Sequence, residues 1–279
     1  MAYNDYLSRS PRSIVNLSSS FGDNRLRGKF LSEGIELAEK VQQLLLPKSS
    51  PTCNWCRSGV KNRMAAGLGG DYFDIITMPD ECQSLFIGDV TGHGLHASVV
   101  MSLIYGFIHP AALGTCAPLE LVQQVNRFLI DFSRRSETID QYFSSSLFYG
   151  VIDPRTFAMR YVNAGQVPAL VLREGRVEEL HSTGPPIGYF EMPELQLQSY
   201  SFARGDRLLL YTDGIIETAN AHGEPYGLDR LKELLLATAK TDHLEFLGLL
   251  FQSLSDFGVA DPPEDDCSAI VIDLHGCRT

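Results

Sequence analysis

Positive charge is scarce in this sequence. Lys and Arg number 23 against 34 Asp and Glu, a formal net charge of −11 over 279 residues. That balance argues against nucleic acid or an anionic membrane surface as the main partner, since both are bound through clustered cations. Long apolar runs are missing as well. None read from the sequence approaches the ~18–20 residues that span a bilayer. The opening MAYNDYLSRSPRS lacks the charged-then-apolar pattern of a secretory signal. The expectations are no nucleic acid, no membrane and a cytoplasmic location. Cysteines are few and scattered, at 53, 56, 82, 116, 267 and 277. Cys53-Asn-Trp-Cys56 is a CxxC, but no second pair accompanies it, as zinc would need. Nor does a helix pattern follow it, as thioredoxin-like redox work would need. All six are expected as plain reduced thiols. The chain also lacks βαβ alternation, which excludes a doubly wound nucleotide fold, and no internal repeat is evident. With 44% apolar residues, it is long enough for one large domain, with or without an N-terminal appendage.

What is present centres on residues 67–101, GLGGDYFDIITMPDECQSLFIGDVTGHGLHASVVM. Two apolar runs, Asp71–Met78 and Ser84–Val90, flank the turn composition Pro79-Asp80-Glu81 and predict a β-hairpin. In an antiparallel pair the start of one strand lies beside the end of the next. Asp71 and Asp89 are therefore expected to meet at one end. Thr91-Gly92-His93-Gly94 then leads into a helical pattern ending at His109-Pro110. Hard oxygen ligands beside a glycine turn suit a divalent cation and a phosphate.

Residues 1–28, rich in Ser, Asn and Arg, read as a mobile arm. Residues 29–50 read as a helix and linker. Ile35, Ala38, Val41 and Leu45 form its stripe, and Pro47 stops it. That helix either packs on its own domain or couples and dimerises. From 51 to 279 the order is strands, two helices, many strands, two helices and one strand. Short turns such as Asp153-Pro154-Arg155 favour antiparallel pairing. The fold class expected is α+β, a four-layer αββα sandwich of two mainly antiparallel sheets flanked by helices.

Acids mark strand ends throughout. Asp89 and Asp213 each close an apolar strand, Asp265 and Asp266 open the last one, and Asp71 opens the first hairpin. Converging carboxylates repel unless cations sit between them. Two divalent ions, Mn²⁺ or Mg²⁺ rather than zinc, satisfy that requirement, and such a pair activates water for attack on a phosphoryl group. His93 is a candidate general acid for a serine leaving group; the structural alternative is that it shapes the glycine turn. Arg63, just before the first motif, is the candidate phosphate clamp.

GGDYFD, IGDVTGHGLHASVVM, YVNAGQVPAL, STGPPIG, GDRLLLYTDGIIET and DDCSAIVI occur in that order. Together they resemble the metal-dependent PPM-type serine/threonine phosphatases, most of all the bacterial SpoIIE/RsbU branch. The likeness runs from about residue 31 to 274. It implies a two-metal site with Asp71, Asp89, the Val90 carbonyl and Asp213 as ligands. The last ligand falls on Asp265, with the neighbouring Asp266 as the alternative. It implies a phosphorylated STAS-domain anti-anti-sigma factor as substrate in a partner-switching pathway. It also implies an upstream regulator or a homodimer at the 31–46 helix. Where the family commonly has His after Asn-Ala-Gly, this chain has Gln166. No sensor domain is recognisable before residue 30, so regulation is expected through the arm, through a separate partner, or not at all. A diguanylate cyclase is excluded, since its GGDEF turn needs an acid where Tyr72 stands. The remaining alternative is a catalytically silent PPM-fold binding module.

Overall fold

The computed structural model describes residues 24–51, 53–65, 67–92, 94–114, 117–135 and 143–276, with side chains from residue 32. His93, Cys116, Cys277 and residues 1–23 of the expected arm lie outside the described residues.

Two five-stranded antiparallel sheets stack face to face. The first orders β1 (Cys56–Arg63), β10 (Cys267–Leu274), β9 (Arg207–Tyr211), β6 (Ala169–Arg173) and β7 (Arg176–Leu180). The second orders β2 (Tyr72–Thr77), β3 (Gln83–Val90), β4 (Ser145–Asp153), β5 (Ala158–Ala164) and β8 (Gln198–Ser201). The predicted hairpin is β2–β3. Tyr72 stands opposite Gly88 and Phe73 opposite Ile87, which carries Asp71 to the level of Asp89. Its turn is fixed locally: Asp80 Oδ1 accepts the Cys82 N–H, and Glu81 takes a left-handed φ of 67°.

Strand alternation builds both cores. In the first sheet Leu208, Leu210, Ile270 and Ile272 face the second sheet. Leu209, Tyr211, Ala269 and Val271 face outward, under α5 (Leu228–Ala237) and α6 (His243–Phe257). The second sheet is covered by α2 (Leu95–Gly114) and α3 (Pro118–Ser133). The αββα expectation is met. A short α4 (Gly214–Glu217) follows β9. Before the sandwich, α1 (Asn24–Leu45) lies against α2. Gln42 and Leu46 are buried, while Leu37, Val41 and Leu44 are exposed.

Three sequence expectations are corrected. The α2 helix does not stop at Pro110 but continues to Gly114. Proline forfeits one backbone bond there, while buried Ile108 and Ala112 on either side hold the turn in place. The same helix has the length and hydropathy of a membrane span, which the reading of apolar runs did not register. Its Val100, Met101, Ile104 and Ile108 are packed into the core. Finally, Cys53 and Cys56 are joined in a disulfide rather than standing as thiols. The turn through Asn54 and a buried Trp55, edge-on to Phe157, brings their sulfurs together. Cys82 and Cys267 are buried and form no disulfide.

Candidate active site

The β9–β10 pair delivers acids from the first sheet and β2–β3 from the second, at the same end of the sandwich. Asp213 follows β9, and Asp265 and Asp266 precede β10. These two ends are tied by the Thr212 N–H, which donates to the Ser268 carbonyl at 3.0 Å. Within the second sheet, the Val90 N–H donates to the Gly70 carbonyl at 3.3 Å and extends the β2–β3 pairing to the acids. Across the sheets, Thr212 Oγ1 donates to Asp71 Oδ2.

Each carboxylate has its own environment. Asp71 is fully buried, and Thr212 Oγ1 donates to its Oδ2 at 2.9 Å. Burial, then the charges of Asp89 and Asp266, raise its pKa well above the carboxylate range. Asp89 is pushed up to about 8, first by burial and then by Asp213, Asp265 and Asp266. Asp213 is raised by burial, with Asp265 and Glu217 adding to it. Asp89 thus links the group, acting on Asp71 and feeling Asp213 and Asp265 from the other sheet.

Asp265 and Asp266 have different roles. Asp266 is buried, and its oxygens are occupied by the N–H groups of Ala65 and Gly70, at 2.8 and 2.9 Å. It ties the β1–β2 crossing to β10. Asp265 is exposed and near enough to Asp89 and Asp213 to raise both. Its geometry makes it the better candidate ligand, with Asp266 as the brace behind it.

Among the described residues no three acidic, His or Cys side chains already enclose a common point. Ions seated here would therefore draw on few protein ligands each and complete their shells with water, as small hard cations do. The donor set fits such ions, being oxygen throughout. A side chain at Gly70 would stand 2.7 Å from Asp89 Oδ1 and 2.9 Å from the Val90 carbonyl. The glycine leaves that oxygen-lined space open.

Of the other expected residues, Arg63 does not reach the acids. Its guanidinium lies over the Phe251 ring and donates to Ser255 Oγ on α6. Gln166 is buried in its own turn. Its N–H donates to Asn163 Oδ1, and its Oε1 accepts from Val167. Three supporting groups escaped the sequence reading. Thr212 carries a signal, since it sits inside the Tyr-Thr-Asp-Gly motif. Ser145 Oγ, which donates to the Asp89 carbonyl at 2.7 Å, has none. Neither does Gln42 of α1, which clamps Gly69 from both sides. Its Nε2 donates to the Gly69 carbonyl at 2.8 Å, and its Oε1 accepts the Gly69 N–H at 3.0 Å.

Residues 79–275 match the family model of Stage II sporulation protein E (SpoIIE). The chain belongs to the SpoIIE family. Protein IcfG of Synechocystis sp. is 26% identical over 266 residues, covering 87% of this chain and 41% of IcfG. Phosphoserine phosphatase RsbP of Bacillus subtilis is 30% identical over 202 residues, covering 71% of this chain and 48% of RsbP. The chain thus spans about half the length of these curated relatives, or less. In fold it is similar to the SiaA-PP2C domain of Pseudomonas aeruginosa. The TM-score is 0.74 at 18% identity, over 89% of this chain and 98% of that one. It is also similar to RsbX solved in complex with magnesium, with TM-score 0.60 at 14% identity over 80% and 98% of the chains. The resemblance to the SpoIIE/RsbU branch, read from six motifs, is borne out.

Proposed function

We propose that this SpoIIE-family chain is a metal-dependent protein serine/threonine phosphatase. It removes the phosphoryl group of a phosphoserine or phosphothreonine on a STAS-domain anti-anti-sigma factor, water being consumed and the free hydroxyl and inorganic phosphate released. One observation carries the reading. Carboxylates from two sheets meet at one end of the sandwich, raise one another's pKa, and have no Lys, Arg or His ion pair among the described residues. Two divalent ions held by Asp71, Asp89, the Val90 carbonyl, Asp213 and Asp265 would activate a water and neutralise the phosphoryl oxygens.

The chain's own residues do the positioning. Thr212 orients the Asp71 carboxyl, and Ser145 fixes the backbone that carries Asp89 and Val90. Asp266 and Gln42 hold the Gly69-Gly70 crossing against them. Specificity is assigned to the 184–194 loop. Its Ile187 exchanges two backbone bonds with Ser145, which places it beside Asp89. Buried Asn126 pins it, accepting from Gly188 N and donating to the Phe190 carbonyl. Tyr189, Phe190 and Met192 are left exposed on it. In the same reading, residues 29–50 are a coupling and dimerisation element and 51–279 the phosphatase domain. The exposed Leu37, Val41 and Leu44 are where a regulator or second copy docks. His93 keeps its place as candidate general acid.

The test is hydrolysis of an aryl phosphate across Mn²⁺ and Mg²⁺ titrations, wild type beside Asp213→Asn. Metal-dependent turnover lost in the variant supports the assignment. Absence of turnover with either metal, and with a phosphorylated STAS-domain protein added, leaves the binding-module alternative.

A further inference from the structure

The disulfide has no part in the proposed reaction. It sits at the opposite end of β1 from the acids, where the connection from α1 enters the sandwich. β1 runs antiparallel to β10 with Cys56 opposite Leu274, so the pair is also beside the end of the last strand. Its surroundings are asymmetric. Cys56 is 3% exposed, and Cys53 is partly open to solvent. The Cys56 N–H donates to Cys53 Sγ at 3.1 Å. A hydrogen bond of that kind favours the thiolate over the thiol at Cys53. The turn between them is held from outside. Trp55 packs edge-on to Phe157, and its carbonyl accepts the N–H groups of His275 and Gly276, both at 3.1 Å. The scaffold therefore does not rely on the S–S bond. A link between residues three apart also closes a very short loop, and short loops restrain the unfolded chain least. The pair is poorly placed as a structural staple and well placed for exchange.

We infer that Cys53 and Cys56 form a reversible thiol–disulfide site whose exchange partner is a low-molecular-weight disulfide of the glutathione class. In the oxidising direction the Cys53 thiolate attacks one sulfur of the small disulfide. A mixed disulfide forms at Cys53, and one small thiolate leaves. The Cys56 thiol then loses its proton and attacks Cys53 Sγ, closing the protein disulfide and expelling the second small thiolate. The pair gives up two electrons and two protons, and one small disulfide becomes two small thiols. Reduction runs through the same mixed disulfide in reverse. Cys53 is the entry point because it is the more exposed residue of the pair, and Cys56 is the resolving thiol.

The experiment equilibrates the whole folded chain in glutathione buffers of graded reduced-to-oxidised ratio. Free thiols are trapped with a maleimide, and the labels are located by peptide mapping. Cys53 and Cys56 should gain and lose label together in one two-electron transition, while the buried Cys82 and Cys267 stay unlabelled throughout. Cys56→Ser should stop at a glutathione adduct on Cys53, and Cys53→Ser should take no adduct at Cys56. Circular dichroism of each variant establishes that it is folded. The inference is overturned by a pair that stays closed at every ratio in the folded protein, by one that never closes, or by equal adduct formation in both variants. Zinc retained at one equivalent by the reduced chain also overturns it, since that would make the cysteines metal ligands.

Discussion

The two ends of the β9–β10 pair handle buried acid in opposite ways. At the end away from the candidate site, each carboxylate has an arginine. Arg207 is almost fully buried. It donates to Asp273 Oδ1 and Oδ2 at 2.5 and 2.8 Å, and its remaining N–H groups reach the carbonyls of Thr238 and Thr241. Arg173 donates through Nε to both Asp206 oxygens at 3.1 Å, and Asp206 also accepts the Ala203 N–H. At the other end, Asp213 and Asp265 meet Asp71 and Asp89 with no arginine among the described residues. The same two strands thus show that the fold can neutralise a buried carboxylate internally, and that it does not do so where five aspartates gather. Leaving the charge uncompensated is unfavourable for folding alone. It is the arrangement expected where compensation comes from bound cations.

The comparison is tested most severely by removing one partner at each end. Asp213→Asn should reduce metal-dependent turnover to background while the chain stays folded, with thermal stability unchanged or raised, because a repelling charge is gone. Aryl phosphate kinetics and a melting curve on the same sample decide this. A variant that retained near-wild-type turnover at saturating metal would break the two-metal reading. Arg207→Met should do the reverse. It leaves Asp273 without its cation and two carbonyls without donors, so unfolding free energy should fall by about 3–5 kcal/mol. Specific activity per folded molecule should be kept. Urea unfolding measures the first, and turnover below the transition measures the second.

A smaller effect follows from adding the missing charge. A divalent ion that binds only the folded state stabilises it by about 2.7 kcal/mol at a hundred times its dissociation constant. Mn²⁺ or Mg²⁺ should therefore raise the melting temperature of the wild type. The rise should shrink in Asp89→Asn and be unchanged in an Arg173 variant at the other end. Equal rises in all three would place the ions elsewhere.

Much of this was legible before any coordinates. The Asp71–Asp89 juxtaposition follows from two apolar runs around a turn, because hairpin register brings the start of one strand to the end of the next. Sheet membership was not legible. β6, β9 and β10 are apolar on both faces, and such runs announce burial without naming neighbours. The resemblance put the last ligand on Asp265 with Asp266 as the alternative. What stayed hidden is that the N–H groups of Ala65 and Gly70 occupy Asp266, since adjacent identical residues differ only in what the backbone of residues 65–70 does to them. Gln42 was invisible because an amide on a helix reads as surface until the loop it clamps is placed against it. Pro110 misled because a local rule, that proline ends helices, yielded to burial of the turn around it. The CxxC misled in the same way. Context in sequence gave it no role, and only the folded turn shows the two sulfurs in unlike surroundings.

A further buried acid sharpens the contrast, because among the described residues it has no arginine and it lies outside the cluster. Asp74 lies on β2, on the side covered by α2. Its Oδ2 accepts the Tyr105 hydroxyl at 2.6 Å, its Oδ1 accepts the Ile75 N–H, and His109 Nε2 stands 3.7 Å away. Burial raises its pKa, against the lowering effect of the Tyr105 bond. The folded state therefore holds a proton over a range in which the unfolded chain has already lost it. Asp74 thus contributes a stability term that falls as pH rises from the unfolded value of about 4 through the folded one. Tyr105→Phe removes a bond to the charged form. It should cost about 1–2 kcal/mol near neutral pH and less at low pH, where Asp74 is protonated in both states. Asp74→Asn should flatten that part of the profile. Melting curves between pH 4 and 8 on wild type and both variants provide the check. If Tyr105→Phe cost the same at every pH, the tyrosine would be acting through packing against Phe86 rather than through the carboxylate.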